Sequence, residues 1–368
     1  MIPVSEPDLG QLEREYLLDA FDSGWISSLG RYVGDAETAL CELTGAPFAS
    51  VCTNGTTALH LALLAAGVTA GDEVILPSLT YIATLNAVNY VGAEAVIVDV
   101  LDSTWCIDPD AVEAAITPRT KAVLAVDLYG QPADYPALRA IASKHGLVLI
   151  ADAAESVGAS LSGVKAGALA DITTFSFFGN KVLTSGEGGA VTTASPEVDA
   201  RVRQLRNQGN HPDIRYFHEV VGFNYRMTNL TAAILTAQLQ RAPSLIAKRR
   251  RVVEGYHRAL DADPRLRQQE VAAGAAPSPW MYSVRLVDCT VDDRDALIRA
   301  LAESGVESRP VFPLVQNMPF VPVRQQSVTP VAERISREGI SLPTFPDLSP
   351  DQLQVVCTTF LQALEKRS

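Results

Sequence analysis

The stretch FSFFGNKVLTSGEGGAVTT, residues 175–193, combines strand-like runs with a glycine-rich turn and a lone lysine. Two strand-like runs, 172–178 and Gly189–Thr193, enclose a segment that holds a single lysine, Lys181, with three glycines packed closely behind it. Glycines allow a backbone to turn tightly and to approach another backbone closely. The stretch therefore predicts two strands of a sheet, with a lysine just beyond the end of the first.

Similar apolar runs recur towards the N-terminus and alternate with amphipathic, helix-like segments. We expect strands at 73–76, 94–100, 122–128 and 147–151, and helices at 57–66, 109–116, 135–145 and 196–207. This alternation is typical of an α/β domain with a mainly parallel sheet.

The second half of the chain is organised differently. Residues 206–226 have little periodicity and predict a long excursion, which in compact domains is usually functional. A helix at 230–250 then ends in the basic cluster KRRR, residues 248–251, interpreted as a solvated helix face. After a small, Pro-rich linker at 272–279, a strand and a helix indicate a smaller α+β unit. We expect a large domain at 1–250 and a small C-terminal domain at 251–368.

Composition excludes several classes of protein. The chain has 368 residues, 47% of them apolar, and a formal net charge of −12. Nucleic acids and anionic membranes require a basic surface, so neither is an expected partner. No basic start precedes an apolar core and no run approaches ~20 apolar residues, so we expect a cytoplasmic protein. The five scattered cysteines and five histidines show no ligand spacing, which predicts neither disulfides nor a metal.

Two motifs could hold a charged ligand. The segment TNGTTALHLALLAA starts a helix at Asn54-Gly55-Thr56-Thr57, where free N–H groups favour a phosphate, although taken alone the motif is better explained by an ordinary helix cap. The segment VLIADAAES is a strand that ends in Asp152 and Glu155. Carboxylates at this end of a parallel strand face the ligand crevice and suit a protonated pyridine nitrogen; a capping Asp with a solvated Glu is the alternative.

Lys181 is the residue for which the sequence makes the most specific chemical prediction. Three phenylalanines precede it, and a desolvated lysine can lose its proton and attack a carbonyl, whereas an ordinary turn lysine stays solvated. The phosphate cradle, the strand-end Asp152 and the spacing Ser176-x-x-x-x-Lys181 occur in the order that a pyridoxal phosphate (PLP) site requires.

Motifs along nearly the whole chain resemble those of one enzyme family. The chain resembles the PLP-dependent sugar aminotransferases of the DegT/DnrJ/EryC1/StrS group, a branch of the fold-type I, aspartate aminotransferase-like enzymes. The matching segments are IPVSEPDLG, SGWISSLGRYV, NGTTALHLAL, PSLTYIAT, DLYGQPAD, DAAES, FSFFGNKVLTSGEGG, RNQGNHPDIRYFHEVVGFNYRMTNL, WMYSV, ESRPVF and SLPTFP.

The resemblance implies a role for each matching residue. Lys181 would attach the aldehyde of the cofactor and then shuttle a proton, while Asp152 would pair with the ring nitrogen and Glu155 would lie at the ring edge. The phosphate would be held by Gly55, Thr56, Thr57 and Ser176, with Asn224 supplied by the partner subunit of a homodimer with shared active sites. Tyr81 would stack on the ring, with a core tyrosine as the alternative. The nucleotide sugar would lie near Trp25, Ser27, Arg226 and Arg309, each of which could instead be a packing or ion-pair residue.

The resemblance also implies the reaction. L-Glutamate would donate the amino group in a ping-pong transamination, and a nucleotide-linked keto-6-deoxy sugar would accept it. Segments such as FFGNKVLTSGEGG and WMYSV favour GDP-4-keto-6-deoxy-mannose, while a dTDP-linked 3- or 4-keto-6-deoxy sugar or a GDP-3-keto sugar stays open. Dehydrating members have His at the lysine position, so Lys181 argues for amination. Asp127, where His is common, and Thr231, where Gln is frequent, depart from the pattern and leave the acceptor in doubt.

Other classes of function make different demands on the sequence. A non-catalytic PLP-fold regulator predicts a broken site, yet the lysine, aspartate and serine are all present. A nicotinamide dehydrogenase requires a G-x-G-x-x-G series, which NGTTALHL lacks. A PLP-dependent lyase or dehydratase is the closer alternative, and it would leave no nitrogen on the sugar.

Overall fold

The computed structural model describes residues 1–322 and 327–365. The helices are α1 Gln11–Asp22, α2 Arg31–Thr44, α3 Gly55–Ala65, α4 Ile82–Tyr90, α5 Pro109–Ala114, α6 Tyr135–His145, α7 Pro196–Arg206, α8 Asn229–Leu260, α9 Val291–Glu303, α10 Pro330–Glu338 and α11 Pro350–Glu365. The strands are β1 Phe48–Cys52, β2 Glu73–Pro77, β3 Glu94–Val98, β4 Thr120–Val126, β5 Val148–Asp152, β6 Ser160–Leu161, β7 Val164–Lys165, β8 Ile172–Ser176, β9 Gly189–Thr193, β10 Leu266–Gln268, β11 Ala275–Ala276, β12 Tyr282–Leu286, β13 Arg309–Pro310 and β14 Gly339–Leu342.

The centre of the fold is a seven-stranded sheet in the order β1-β9-β8-β5-β4-β2-β3. Strands β8, β5, β4, β2 and β3 are parallel neighbours, and β9 runs antiparallel to both β8 and β1. Strands β2, β8 and β9 are buried along their whole length, as expected when helices cover both faces of a parallel sheet. The predicted α/β fold with a mainly parallel sheet is confirmed.

Local sequence signals account for several helix ends. The Ser195 side chain accepts a hydrogen bond from the Val198 N–H and caps α7, whose first residue is Pro196. Helix α6 is capped in the same way by Asp134 and ends at Gly146, which has a φ of 65°. Glycine reaches this left-handed conformation without steric cost, so the helix stops there.

A second, four-stranded sheet in the order β10-β12-β14-β13 is antiparallel throughout, with β10 before the linker at 272–279 and the other three strands after it. Its hydrophobic core includes residues of α9, α11 and the last turns of α8. Helix α8 runs through residue 250 without a break, so the two sheets share one long helix. The division into domains at residue 250 stays a prediction.

Two features refine the sequence analysis. The excursion expected at 206–226 separates α7 from α8 and contains only isolated β-bridges. The interpretation of KRRR as a solvated face is wrong for Arg249, which is 1% exposed, although Arg251 is exposed. Among the described residues, no helix has the length and apolar character needed to span a bilayer.

Candidate active site

The parallel strands bring the predicted chemical groups to one edge of the large sheet. Strands β1, β5 and β8 run in the same direction, so their carboxyl ends lie together. Asn54 and Gly55 follow β1, Asp152 is the last residue of β5, and Ser176 is the last residue of β8. Lys181 lies in the turn after β8. This edge is where open α/β sheets bind ligands.

A cavity of about 460 Å³ opens at this edge. The predicted residues that line it are Gly55, Thr56, Tyr81, Asp152, Glu155, Ser176, Lys181 and Arg309. The Tyr81 side chain is 56% exposed, and its ring centroid lies 5.7 Å from that of Phe312 on the opposite wall.

The start of α3 is shaped by a cap and by glycines. Asn54 Oδ1 accepts a hydrogen bond from the Thr57 N–H at 2.9 Å, and Thr57 Oγ1 donates to the Asn54 carbonyl at 2.8 Å. A Cβ on Gly55 would lie 2.7 Å from Ser176 Cβ, and one on Gly189 would lie 2.2 Å from the Asn54 carbonyl oxygen. Only glycine therefore allows this helix start to meet β8 and β9 so closely.

Asp152 is a buried carboxylate, 6% exposed, at the end of β5. Its Oδ2 accepts a hydrogen bond from Thr84 Oγ1 at 2.8 Å, and its Oδ1 accepts one from the Ala154 N–H at 3.2 Å. Burial raises the pKa of Asp152, while these hydrogen bonds and the charge of Lys181 oppose the rise. A cationic ring nitrogen in the cavity would offset the cost of burying this charge.

The Lys181 side chain, 12% exposed, lies between a carboxylate and an aromatic ring. Its Nζ is 3.6 Å from Glu155 Oε1 and 3.8 Å from the centroid of the Trp280 ring. The other Glu155 oxygen accepts a hydrogen bond from the Tyr129 N–H at 2.7 Å. Burial raises the pKa of Glu155 to about 7, and the charge of Lys181 partly opposes that rise.

Asp127, the departure noted in the DLYG segment, is fully buried beneath the site. Its carboxylate accepts hydrogen bonds from Ser156 Oγ at 2.6 Å, the Tyr135 hydroxyl at 2.8 Å and the Ala133 N–H at 3.0 Å. Burial raises the pKa of Asp127 to about 6. The residue therefore ties the loop after β4 to the loop after β5 and does not line the cavity.

Five predicted residues lie away from this cavity in the single chain: Trp25, Ser27, Thr57, Asn224 and Arg226. Thr57 is engaged in the cap of α3. Trp25 lines a separate surface cavity with Asn229, and Arg226 lines another with Arg203. Trp25, Ser27 and Asn224 are exposed.

Several residues of the site were not assigned a role from the sequence. Trp280 and Phe312 line the cavity, and Thr84 supports Asp152 from the buried face of α4. Trp280 is the first residue of the WMYSV motif, directly after the Pro-rich linker, so its position was visible in the sequence. Thr84 is the last residue of the PSLTYIAT motif, but its contact with Asp152 depends on packing between distant segments, which the sequence does not show.

Comparison with known proteins identifies the family of this chain. Residues 7–361 match the model of the DegT/DnrJ/EryC1/StrS aminotransferase family. The GDP-perosamine synthase of Caulobacter vibrioides is 45% identical over 99% of this chain and 98% of its own length. The GDP-perosamine synthase of Vibrio cholerae is 41% identical over 97% of each chain.

A solved structure supports the same assignment. A Streptococcus pneumoniae protein described as a sugar aminotransferase, in its PMP (pyridoxamine phosphate) form, superposes with a TM-score of 0.96. The two proteins are 28% identical over the whole of both chains. The chain therefore belongs to the DegT/DnrJ/EryC1/StrS aminotransferase family of PLP-dependent enzymes.

Proposed function

We propose that this aminotransferase moves an amino group from L-glutamate to a nucleotide-linked keto-6-deoxy sugar, with GDP-4-keto-6-deoxy-mannose as the favoured acceptor. The observation that carries the proposal is the cavity in which Lys181, Asp152 and the start of α3 meet. The acceptor rests on the two relatives named as synthases of a GDP-linked amino sugar. The cytoplasmic location expected from the sequence stays part of this proposal.

The residues at the start of α3 fit the phosphate of PLP. Gly55 and Thr56 line the cavity, where the first N–H groups of a helix lack intrahelical partners and attract an anion. The missing Cβ of Gly55 leaves space beside Ser176, whose hydroxyl can donate to a phosphate oxygen. Thr57 supports this cradle through its hydrogen bonds to Asn54.

Asp152 and Tyr81 fit the ring of the cofactor. When bound, PLP supplies an aldehyde that condenses with amines and a ring that withdraws electrons from the reacting carbon. The Asp152 carboxylate, fixed by Thr84 and Ala154, would hold the ring nitrogen in its protonated form. Tyr81 presents an exposed aromatic face to the cavity.

Lys181 would both attach the cofactor and move the proton. Its Nζ reaches into the cavity and has Glu155 Oε1 within 3.6 Å. In its free form the neutral amine can take the proton from the α-carbon of the donor and pass it to the cofactor carbon that carries the nitrogen. With the acceptor, Lys181 would move a proton in the reverse direction, onto the sugar carbon that receives the nitrogen. Glu155 is held by the Tyr129 N–H, so it can keep the Lys181 side chain near the reacting atoms.

A second copy of the chain would complete the site. Asn224 and Arg226 lie on the excursion between α7 and α8, outside the cavity of their own chain. Exposed large apolar side chains occur on this excursion and on the segment near Trp25: Trp25, Ile26, Leu29, Ile214, Tyr216, Phe217 and Val221. Such a surface favours burial against a partner subunit, which would bring Asn224 to the cofactor phosphate and Arg226 to the acceptor.

The proposal is tested by the two half-reactions. The PLP-loaded protein should lose the visible absorbance of lysine-bound cofactor when L-glutamate is added, with release of 2-oxoglutarate. Adding GDP-4-keto-6-deoxy-mannose should restore the band and yield an amino sugar detectable by mass spectrometry. A matched series of dTDP-linked 3- and 4-keto-6-deoxy sugars and a GDP-3-keto sugar discriminates the alternatives. If the absorbance band never responds to glutamate, L-glutamate is not the amino donor. If only a dTDP-linked sugar restores the band, GDP-4-keto-6-deoxy-mannose is not the acceptor.

A further inference from the structure

The basic cluster 248–251 contains one arginine that the proposed reaction has not used. Arg249 is 1% exposed, and its guanidinium donates to the carbonyl oxygens of Thr344 at 2.7 Å, Trp280 at 2.8 Å and Lys181 at 3.2 Å. No carboxylate within the described ranges 1–322 and 327–365 forms an ion pair with it. The charge is thus satisfied mainly by backbone carbonyls from three separate segments.

Burying an arginine in this way is not explained by a gain in the stability of the fold. An unpaired buried charge is destabilising, and well-packed apolar side chains often stabilise a core as much or more. Burial lowers the pKa of Arg249 to about 10. The three carbonyls belong to the Lys181 turn, to Trp280 and to the segment after β14, so Arg249 fixes these segments relative to one another.

Trp280 contacts the same turn in two ways. Its indole Nε1 donates to the Asn180 carbonyl at 2.7 Å, and its ring face lies 3.8 Å from Lys181 Nζ. The ring is 4% exposed and stacks with Tyr129 and Phe312, with centroids 6.1 and 6.2 Å away. The orientation of this ring is therefore set by its neighbours.

We propose that Arg249 and Trp280 form a positioning clamp for Lys181, in which Arg249 fixes the backbone and Trp280 receives the side chain as an ammonium group. The clamp rests on the proposed role of Lys181. An aromatic face attracts a cation but not a neutral amine. Lys181 carries a positive charge only while it holds the proton that it moves, and in that state Trp280 keeps it inside the cavity.

The first test uses the apoenzyme, so that it has a readout independent of the cofactor. Labelling of Lys181 by trinitrobenzenesulfonate, located by peptide mass, reports the neutral amine. In the Trp280→Leu variant, the rate at which Lys181 is labelled should be about threefold to tenfold higher than in wild type at neutral pH. The difference should vanish at alkaline pH. Trp280→Phe should retain most of the wild-type protection. The other charged residues lining the cavity stay unchanged in these variants: Asp152, Glu155, Glu187 and Arg309.

The second test separates positioning from folding. Arg249→Met should lower kcat by about tenfold to a hundredfold, with little change in KM for the acceptor, because a misplaced reacting group affects chemistry more than binding. Arg249→Lys keeps a cation but cannot reach three carbonyls, so it should recover only part of the loss. Arg251→Met removes an exposed charge from the same cluster and should match wild type.

The outcomes distinguish the clamp from the function on which it rests. Equal labelling of wild type and Trp280→Leu at every pH overturns the clamp, as does an Arg249→Met kcat equal to that of Arg251→Met. If Arg249→Met does not fold, the labelling rates of the Trp280 variants and the kcat of Arg249→Lys decide whether the clamp exists. If Lys181→Ala instead retains turnover, the proposed role of Lys181 fails first, and the clamp fails with it.

Discussion

The two halves of the proposed site are built in different ways. The cofactor half comes from the ends of β1, β5 and β8, whose mutual positions are fixed by backbone pairing within one sheet. The other half would be supplied by a second copy, from the segment near Trp25 and from the excursion that carries Asn224, proposed for the phosphate, and Arg226, proposed for the acceptor. Both segments lie outside the cavity of their own chain. A site on strand ends is assembled when the chain folds, whereas one on loops of two copies also requires association.

The largest effect is expected for the reacting group of the cofactor half. Lys181→Ala should reduce kcat by about a thousandfold or more, because the variant loses both the attachment point and the proton carrier. Lys144→Ala is the control, since that side chain is 65% exposed and pairs with Glu113 at the surface. Steady-state kinetics of both variants, loaded with PLP, measure the difference. Turnover of Lys181→Ala within tenfold of wild type would contradict the assignment.

A strong effect is expected when space is removed from the phosphate cradle. Gly55→Ala would bring a Cβ to 2.7 Å from Ser176 Cβ, so we expect the Kd for PLP to rise by about tenfold to a hundredfold. Gly34→Ala lies on α2 with no neighbouring atom within 4 Å and should bind PLP like wild type. Equilibrium titration of the apoenzymes gives both constants. Equal affinities would show that the cradle is elsewhere.

The half of the site proposed to come from the second copy is tested by mixing subunits. Lys181→Ala and the double variant Asn224→Ala/Arg226→Ala should each have low activity as homodimers. In a heterodimer, purified with two affinity tags, one site combines an intact Lys181 with the intact loop of the other chain. We expect this heterodimer to recover about half of wild-type activity. Activity no higher than that of the parents would mean that each chain completes its own site.

The smallest effect concerns stability rather than turnover. Burial raises the pKa of Asp127 from its ordinary value of 3.8 to about 6, so the folded state binds this proton more tightly than the unfolded state. The associated stability is present below pH 3.8 and is lost as the pH rises through about 6, an effect on the order of 3 kcal/mol.

Asp127→Asn should therefore flatten the fall in the free energy of unfolding of the apoenzyme across this pH range. Urea unfolding at several pH values measures the slope, and Asp35→Asn, an exposed carboxylate on α2, serves as the control. The same pH slope in Asp127→Asn and wild type would refute this interpretation of the loop.

The sequence predicted most of the cofactor half because its signals are local. Asp152 follows an apolar strand, Gly55 opens a helix, and Ser176 and Lys181 flank the end of one strand, so the parallel topology was sufficient to bring them together. The prediction that Arg249 is solvated was wrong because four consecutive basic residues on a helix do not reveal which one faces the core. Trp280 approaches Lys181 only through the packing of residues about a hundred positions apart, which no local pattern encodes.

The proposed mechanism depends most on one covalent bond, between Lys181 and the cofactor. Borohydride reduction of the PLP-loaded protein, followed by digestion and mass spectrometry, identifies the amine to which PLP is attached. We predict a single modified peptide that contains Lys181 and loses its label when glutamate is added before the reduction. A label on another lysine, or no label on a protein that has bound PLP, would contradict the account.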